Sequence, residues 1–205
     1  MTAKLDLYKE HKQEYLAPKK PTFVSVRKAA YLSIAGCGRP GGEQFQSKIA
    51  ALYGMAYTLK FTWKLAGKGD YGVAKLEGLY WWDSDEDPKT APIDEVNWQL
   101  LIRTPDFIKR KHLSEAAAQL IEKGKGTEVE EVELVSLAEG KCVQMLHIGP
   151  YDKEEETVDQ MLVFAESEGY EVHRKHHEIY LSDPRRVAPE KLKTILRHPV
   201  RKAAK

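Results

Sequence analysis

Glu178 is the residue whose type and position most strongly suggest chemistry. It lies in the segment 176–184, HHEIYLSDP, which otherwise has the composition of a buried strand. Because alternate side chains of a strand point to opposite faces, Glu178 shares one face with His176 and Tyr180, while Ile179 points into a core. A carboxylate withdrawn from water needs compensation. We therefore expect Glu178 to pair with a cation, to bind a cationic ligand or to act in catalysis.

Two roles for Glu178 stay open from the residues alone. One is a structural ion pair with an arginine; the candidates are Arg103, Arg185, Arg186 and Arg197. The other is a ligand or catalytic site. In the catalytic version Glu178 is the general base for a water molecule, and the hydroxyl of Tyr151 or Tyr71 donates a proton to the leaving oxygen.

The pattern of possible metal ligands does not favour a metal centre. His173, His176 and His177 lie close to Glu178, but adjacent strand residues face opposite ways and cannot share an ion without a bulge. Cys37 and Cys142 form no CxxC pair and are expected to be reduced and packed, although a disulfide between them stays open. We predict no metal and no cofactor.

Composition limits the classes of partner. The chain has 205 residues, of which 42% are hydrophobic and 31% charged, and its formal net charge is +1. This balance gives no reason to expect nucleic acid or a membrane as partner. The N-terminus is charged and lacks the apolar core of a secretory signal. We expect a cytoplasmic protein; its oligomeric state is not readable from the sequence.

The order of predicted elements suggests one domain preceded by an arm. Residues 1–20 form a short docking arm that ends at prolines, and residues 21–205 form the domain. The predicted helices cover residues 43–65, 106–123 and 154–168, and the predicted strands cover 23–35, 71–82, 96–104, 131–148, 171–182 and 193–197.

The two halves of the domain resemble each other in sequence. Three short stretches of the first half, 32–36, 78–83 and 101–105, match 145–149, 178–183 and 195–199 in the same order. We therefore predict an α+β fold of two tandem strand-helix-strand-strand modules, about 21–125 and 126–199. They would form a pseudo-twofold antiparallel sheet with helices on one face and a ligand cleft on the other.

The matched repeats place Gly78 where the second half has Glu178. The first half thus offers aromatic walls and the second an acid. Aromatic faces attract flat cations and bury large areas, and the candidate lining residues are Trp82, Trp98, Tyr80, Tyr180, Tyr57, Phe61 and Tyr151. For Tyr57 and Phe61, on a helix, simple packing is the competing interpretation.

Five stretches together resemble the GyrI-like small-molecule-binding domains, which are related to the effector domains of multidrug-sensing regulators. They are residues 56–61, 76–81, 101–107, 147–151 and 176–186. The resemblance implies a pocket for bulky aromatic, often cationic, drugs, dyes or toxins, with Glu178 matching a buried glutamate of the family and xenobiotic protection as the role.

The resemblance also implies two alternatives to simple binding. Some stand-alone members are hydrolases that open the cyclopropane ring of DNA-alkylating natural products, with Glu178 then the general base. The other alternative is a ligand-sensing partner of a separate regulator, because the chain shows no DNA-binding domain of its own beside the module.

Overall fold

The computed structural model describes residues 4–83, 90–173 and 175–204. In these ranges the chain forms five α-helices and nine β-strands. The helices are α1 (Leu7–Glu10), α2 (Lys12–Tyr15), α3 (Glu43–Leu65), α4 (Arg110–Glu122) and α5 (Glu155–Ser167). The strands are β1 (Thr22–Val26), β2 (Ala29–Cys37), β3 (Leu76–Trp81), β4 (Asn97–Arg103), β5 (Glu133–Leu137), β6 (Gly140–Ile148), β7 (Tyr170–Val172), β8 (His176–Tyr180) and β9 (Lys193–Lys202). Across the described parts of the chain, no helix combines the length and apolar character that crossing a membrane requires.

The chain divides into two compact units. The first contains the residues up to Glu10 together with Ala29–Leu137, and the second contains His11–Lys28 together with the residues from Ala138 onward. Each unit has its own strands and its own buried core.

In the first unit, antiparallel strands lie in the order β3-β4-β2-β5. Helix α3 covers this sheet because its buried residues recur every three or four positions, which gives one apolar face. Leu52 and Met55 of α3 are fully buried, as are Trp98 and Leu100 of β4. These side chains form the core that fixes β3 and β4.

In the second unit, antiparallel strands lie in the order β1-β6-β9-β8, and β7 pairs with β9. Helix α5 packs through Met161 and Ala165 against Val143 of β6 and Leu196 of β9. This packing fixes the start of α5 beside β9, and so next to the neighbouring strand β8.

The predicted repeat is present in the connectivity. The first repeat is β2-α3-β3-β4, and the second is β6-α5-β8-β9 with the short strand β7 added between α5 and β8. In each the last strand pairs with the first strand and with the strand before it. The predicted α+β class with antiparallel strands is therefore confirmed. β1 precedes the first repeat in the chain but pairs with β6 of the second repeat, and β5 precedes the second repeat but pairs with β2 of the first.

Most element boundaries agree with the sequence prediction. The predicted helix 43–65 is observed unchanged, and α5 is one residue shorter at each end than predicted. Helix α4 begins four residues later than predicted because residues 105–108 form a turn, in which Ile108 N–H donates to the Pro105 carbonyl. The strands predicted over 131–148 are observed as β5 and β6, and Gly140 takes a positive φ of 74° where β6 begins. Most of the predicted acidic loop, residues 84–88, lies outside the described residues.

The segment predicted as a docking arm makes backbone contacts near its start, at Leu5, and near its end, at Leu16 and Pro18. Leu5 forms a short parallel bridge with Tyr71 in the first unit. In the second unit, the carbonyls of Leu16 and Pro18 accept hydrogen bonds from the Gln144 side chain (2.8 Å) and the Leu146 N–H (2.9 Å).

Candidate functional site

Strand β8 separates a buried face from a partly exposed one. His177 and Ile179 are fully buried, whereas His176, Glu178 and Tyr180 on the other face keep some contact with solvent. The side chain of Glu178 is 14% exposed and that of His176 is 19% exposed. The alternation predicted from the sequence is therefore observed, and Glu178 is accessible rather than sealed in the core.

The buried face of β8 belongs to an ion-pair network. His177 Nδ1 donates to the Glu139 carboxylate at 2.9 Å, and Arg197 Nη1 donates to its other oxygen at 3.0 Å. Arg197 also donates to the Gln144 side chain at 3.0 Å and to the Glu14 carbonyl at 2.5 Å. Burial raises the pKa of Glu139, but the cations outweigh it and hold that pKa at about 2. These contacts are structural and fix β8 and β9.

A second carboxyl group, Glu154, lies beside the exposed face of β8. It is the residue immediately before α5 and is only 7% exposed. Burial, followed by the negative charge of Glu178, raises the pKa of Glu154 to about 10. The Thr194 hydroxyl nearby opposes this rise only weakly. At neutral pH the pair therefore consists of a neutral carboxyl at Glu154 next to Glu178.

Two tyrosines flank this carboxyl pair. Tyr151 begins the 3₁₀ turn Tyr151–Lys153, and its ring meets the edge of Tyr180 with centroids 5.8 Å apart at 85°. Tyr151 is 40% exposed. Burial of its hydroxyl, then the charges of Glu154, Glu178 and Asp183, raises its pKa to about 12. The phenol thus keeps its proton and is available as a donor.

A histidine pair lies behind Glu178. His176 Nδ1 and His198 Nε2 are 2.8 Å apart, and His176 Nε2 lies 3.5 Å from a Glu178 carboxylate oxygen. Burial and the neighbouring His176 lower the pKa of His198 well below its usual value, so His198 is neutral. If His198 donates from Nε2, His176 carries its proton on Nε2 and directs it toward Glu178.

Glu154, His176 and Glu178 are also the described residues that could hold an ion. One potential ligand atom from each lies within 4.8 Å of the other two. Zinc requires its nitrogen and oxygen ligands at about 2.0–2.2 Å and its carboxylates ionised. A metal would therefore have to draw these atoms together and displace the proton of Glu154.

Three of the four arginines considered as partners of Glu178 form ion pairs with other carboxylates. Arg185 and Arg186 both pair with Asp183, at 2.9 Å and 3.7 Å, and Arg197 pairs with Glu139. The ionisable partner that Glu178 itself faces is His176, whose Nε2 lies 3.5 Å from a carboxylate oxygen of Glu178.

The predicted residues Glu178, Tyr151 and Tyr180 are thus brought together in the second unit. In the first unit, Tyr57 and Phe61 lie on one face of α3, where their rings stack 6.3 Å apart. Both are nearly half exposed. Their role in ligand binding, like the alternative of simple packing, stays a prediction.

The other predicted aromatic residues belong largely to the core of the first unit. Trp98 and Tyr80 are buried and lie opposite each other in the β3–β4 register. Trp82 is partly buried, and its indole N–H donates to the Pro92 carbonyl at 3.0 Å. Tyr71 is 3% exposed, and burial, then Asp70, raises its pKa. Their ligand and catalytic roles stay predictions.

Sequence reasoning missed Glu154 and His198. Glu154 opens the run Glu154–Glu156 at a helix start, which is typical of solvated acids. The sequence did offer one signal. Glu154 lies three residues after the segment 147–151, where a strand ends in a turn and where the family resemblance had already placed Tyr151 near the site. His198 precedes Pro199 near the end of the chain and carried no recognisable pattern.

Comparisons with known proteins agree with this fold. The model of the GyrI-like small molecule binding domain matches residues 21–201. An uncharacterized conserved protein from Listeria innocua is 40% identical, with 97% of this chain and 100% of that chain covered and a TM-score of 0.89. A hydrolase from Listeria innocua is 39% identical with the same coverage and a TM-score of 0.88.

More distant similarity concerns the fold alone. The C-terminal domain of EcmrR is 13% identical, with 90% of this chain and 98% of that domain covered and a TM-score of 0.57. No match was found among curated proteins. The family model spans most of the chain, and the fold and the close relatives agree with it. The chain therefore belongs to the family of GyrI-like small molecule binding domains.

Proposed function

We propose that the protein binds bulky aromatic small molecules and hydrolyses a strained, electrophilic carbon in them. Glu178 is the general base and Tyr151 the proton donor. The observation that carries the proposal is the arrangement in the second unit. Glu178 is partly exposed, and Tyr180, on the same face of β8, meets the Tyr151 ring at 5.8 Å. Burial, then the charges of Glu154 and Glu178, raise the pKa of the Tyr151 phenol.

The chemistry requires a base and a donor on one site. Glu178 takes a proton from water, the water oxygen bonds to the electrophilic ring carbon, and the ring carbon–carbon bond breaks. The electron pair moves to a conjugated carbonyl oxygen, which receives the Tyr151 proton. A positioned general base contributes about 10²- to 10⁴-fold to such a rate. A phenol with a pKa of about 12 keeps its proton until the oxyanion forms.

Relatives support the hydrolytic version. Two structures similar to this chain over 97% of its length, each 39% identical, are hydrolases from Listeria innocua. A strained ring, such as the cyclopropane of DNA-alkylating natural products, fits a site that offers a carboxylate and a neutral phenol, and its destruction fits a role in xenobiotic protection.

Binding of a lipophilic cation without turnover is the second candidate. The observation that favours it is the edge-to-face pair of Tyr151 and Tyr180 beside the Glu178 carboxylate. Aromatic faces attract cations by about 0.5–2 kcal/mol each, and an adjacent carboxylate adds charge complementarity. The same pocket residues would serve both functions, so turnover separates them.

The test compares the wild type with Glu178→Gln and Tyr151→Phe. Glu166→Gln, an exposed acid on α5, is the matched control. Each protein is incubated with a cyclopropane-bearing alkylator, and the water adduct is quantified by mass spectrometry. A planar cationic dye and a neutral analogue are titrated in parallel by fluorescence.

We expect Glu178→Gln to lose turnover by about 10²-fold or more and to keep its affinity for the neutral analogue. Tyr151→Phe should lose turnover by about 10²-fold. Selective loss of dye affinity in Glu178→Gln, with no turnover in the wild type, would instead favour cation binding. Unchanged affinity and unchanged turnover in Glu178→Gln would refute both roles of this residue.

A further inference from the structure

We infer that Glu154, His176 and Glu178 form a binding site for a single water molecule, in which Glu154 positions the water that Glu178 deprotonates. The catalytic part of this inference rests on the proposed function. The binding site itself rests on the geometry of three side chains in one unit. It makes Glu154 a positioning residue.

The spacing of the three groups fits water. One polar atom from each lies within 4.8 Å of the others. For three atoms so spaced, some point lies no more than about 2.8 Å from each, which is the ordinary distance of a hydrogen bond to water oxygen. The His176–Glu178 side of this triangle is 3.5 Å, so the water would lie between two groups that already face each other.

Glu154 supplies the reason why a water is needed. Its Oε1 atom is buried and, within the described part of the chain, no donor or acceptor meets hydrogen-bond geometry with it. The Thr194 hydroxyl is near enough to lower the Glu154 pKa slightly, but its oxygen is likewise without a well-formed hydrogen bond. The residue is 7% exposed. Leaving a buried polar atom unsatisfied costs about 1–3 kcal/mol. A buried water commonly satisfies such atoms when it finds two to four polar partners. Here Glu154, His176 and Glu178 offer three.

The proton count is consistent with this arrangement. Glu154 meets titratable groups from two sides, Tyr151 from the preceding turn and Glu178 and His176 from β8. On β9 its neighbour is the non-titrating hydroxyl of Thr194. From β6, His147 has both ring nitrogens engaged, with Thr157 and the Pro150 carbonyl. The pKa of about 10 keeps the Glu154 carboxyl neutral.

A neutral Glu154 can donate to the water, while the water donates to the Glu178 carboxylate. In the tautomer in which His176 Nδ1 donates to His198 Nε2, the Nε2 atom of His176 is an acceptor and takes the second proton of the water in a hydrogen bond. One lone pair of the water then stays available for attack. In the reaction Glu178 takes one water proton as the oxygen–carbon bond forms, and Glu154 keeps its own proton throughout.

The experiment measures the proton and the water before it measures turnover. Glu154→Gln keeps a neutral group of similar shape that can donate, Glu154→Ala removes the group, and Glu166→Gln is the control. Difference infrared spectra between pH 7 and pH 11 report the carbonyl band of a protonated carboxyl. Crystal structures of the wild type and of Glu154→Ala report the water, and zinc is the probe for a competing cation.

We expect a protonated-carboxyl band at pH 8 that fades around pH 10, that persists in the Glu166→Gln control and that is absent from both Glu154 variants. A water between the three side chains should be lost in Glu154→Ala. Turnover should fall about 10- to 100-fold in Glu154→Ala and stay within a few-fold in Glu154→Gln.

Three results would overturn the inference: a carboxyl band that survives in Glu154→Gln, a wild-type site without the water, or stoichiometric zinc binding that removes the band. Each is independent of whether the alkylator is hydrolysed. Lack of turnover with the band and the water present would refute the proposed function and leave the water site standing.

Discussion

Glu154→Gln should change how the stability of the protein depends on pH. In the folded state the Glu154 pKa is about 10, against a usual value of 4.5. Between these values the folded protein binds a proton that the unfolded chain has released. Because the native state then holds more protons, this carboxyl makes the free energy of unfolding fall as the pH rises through that window. Glutamine has no proton to lose and removes this dependence.

The size of the effect follows from the slope of the free energy of unfolding against pH, and not from the exact pKa of Glu154. One full proton of difference corresponds to about 1.4 kcal/mol for each pH unit. From pH 6 to pH 8, both well inside the window, the wild type should lose about 2.7 kcal/mol that the variant keeps. Histidines that titrate in this range are common to both proteins, so the difference between the two curves isolates Glu154.

Urea denaturation followed by tryptophan fluorescence at pH 6, 7 and 8 measures this difference. Glu166→Gln, on the same helix but exposed, serves as the control and should run parallel to the wild type. A difference curve for Glu154→Gln that stays flat to within about 0.5 kcal/mol, beyond the usual extrapolation error, would refute the assignment of a neutral, buried carboxyl.

Three further substitutions test the framework of the two units. Glu139→Gln leaves Arg197, 1% exposed, without its counter-charge and should cost about 3–5 kcal/mol in chemical denaturation; a loss below about 1 kcal/mol would contradict the network. Gly36→Ala places a methyl group 2.2 Å from the Trp98 ring and should lower the free energy of unfolding by about 1–3 kcal/mol. The near-ultraviolet circular dichroism should change because Trp98 must move, and an unchanged spectrum would contradict this close contact. Gly54→Ala, inside α3 and 3.9 Å from the nearest side-chain atom, should instead raise the melting temperature, with a gain of about 0.4–1 kcal/mol; destabilisation would show that the helix is strained there.

The repeated architecture could be predicted from the sequence, and so could the face of β8 on which Glu178 lies. Alternation alone put Glu178 on the face opposite Ile179, and the bounds of α3 followed from its apolar spacing. Both are local properties, because periodicity reports which side of an element is buried.

Glu154 could not be predicted in the same way. Its neighbours Glu155 and Glu156 are exposed, and the three acids are indistinguishable in the sequence. What buries the first of them is the packing of α5 near Thr194 of β9, about forty residues away along the chain. Roles that depend on such tertiary burial are invisible to a reading of local patterns.

The pairing of β1 with the second repeat and of β5 with the first has a consequence for synthesis and folding. The edge of β6 that β1 covers emerges from the ribosome more than a hundred residues after β1 itself, whereas β5 pairs back to β2 from a similar distance. The first repeat therefore cannot complete its sheet until β5 has been synthesised, and β1 has no β6 to pair with until the second repeat begins. Such non-local pairing slows folding. A chain cut between α4 and β5 would leave β2 and β6 each with an uncovered edge, a template for self-association.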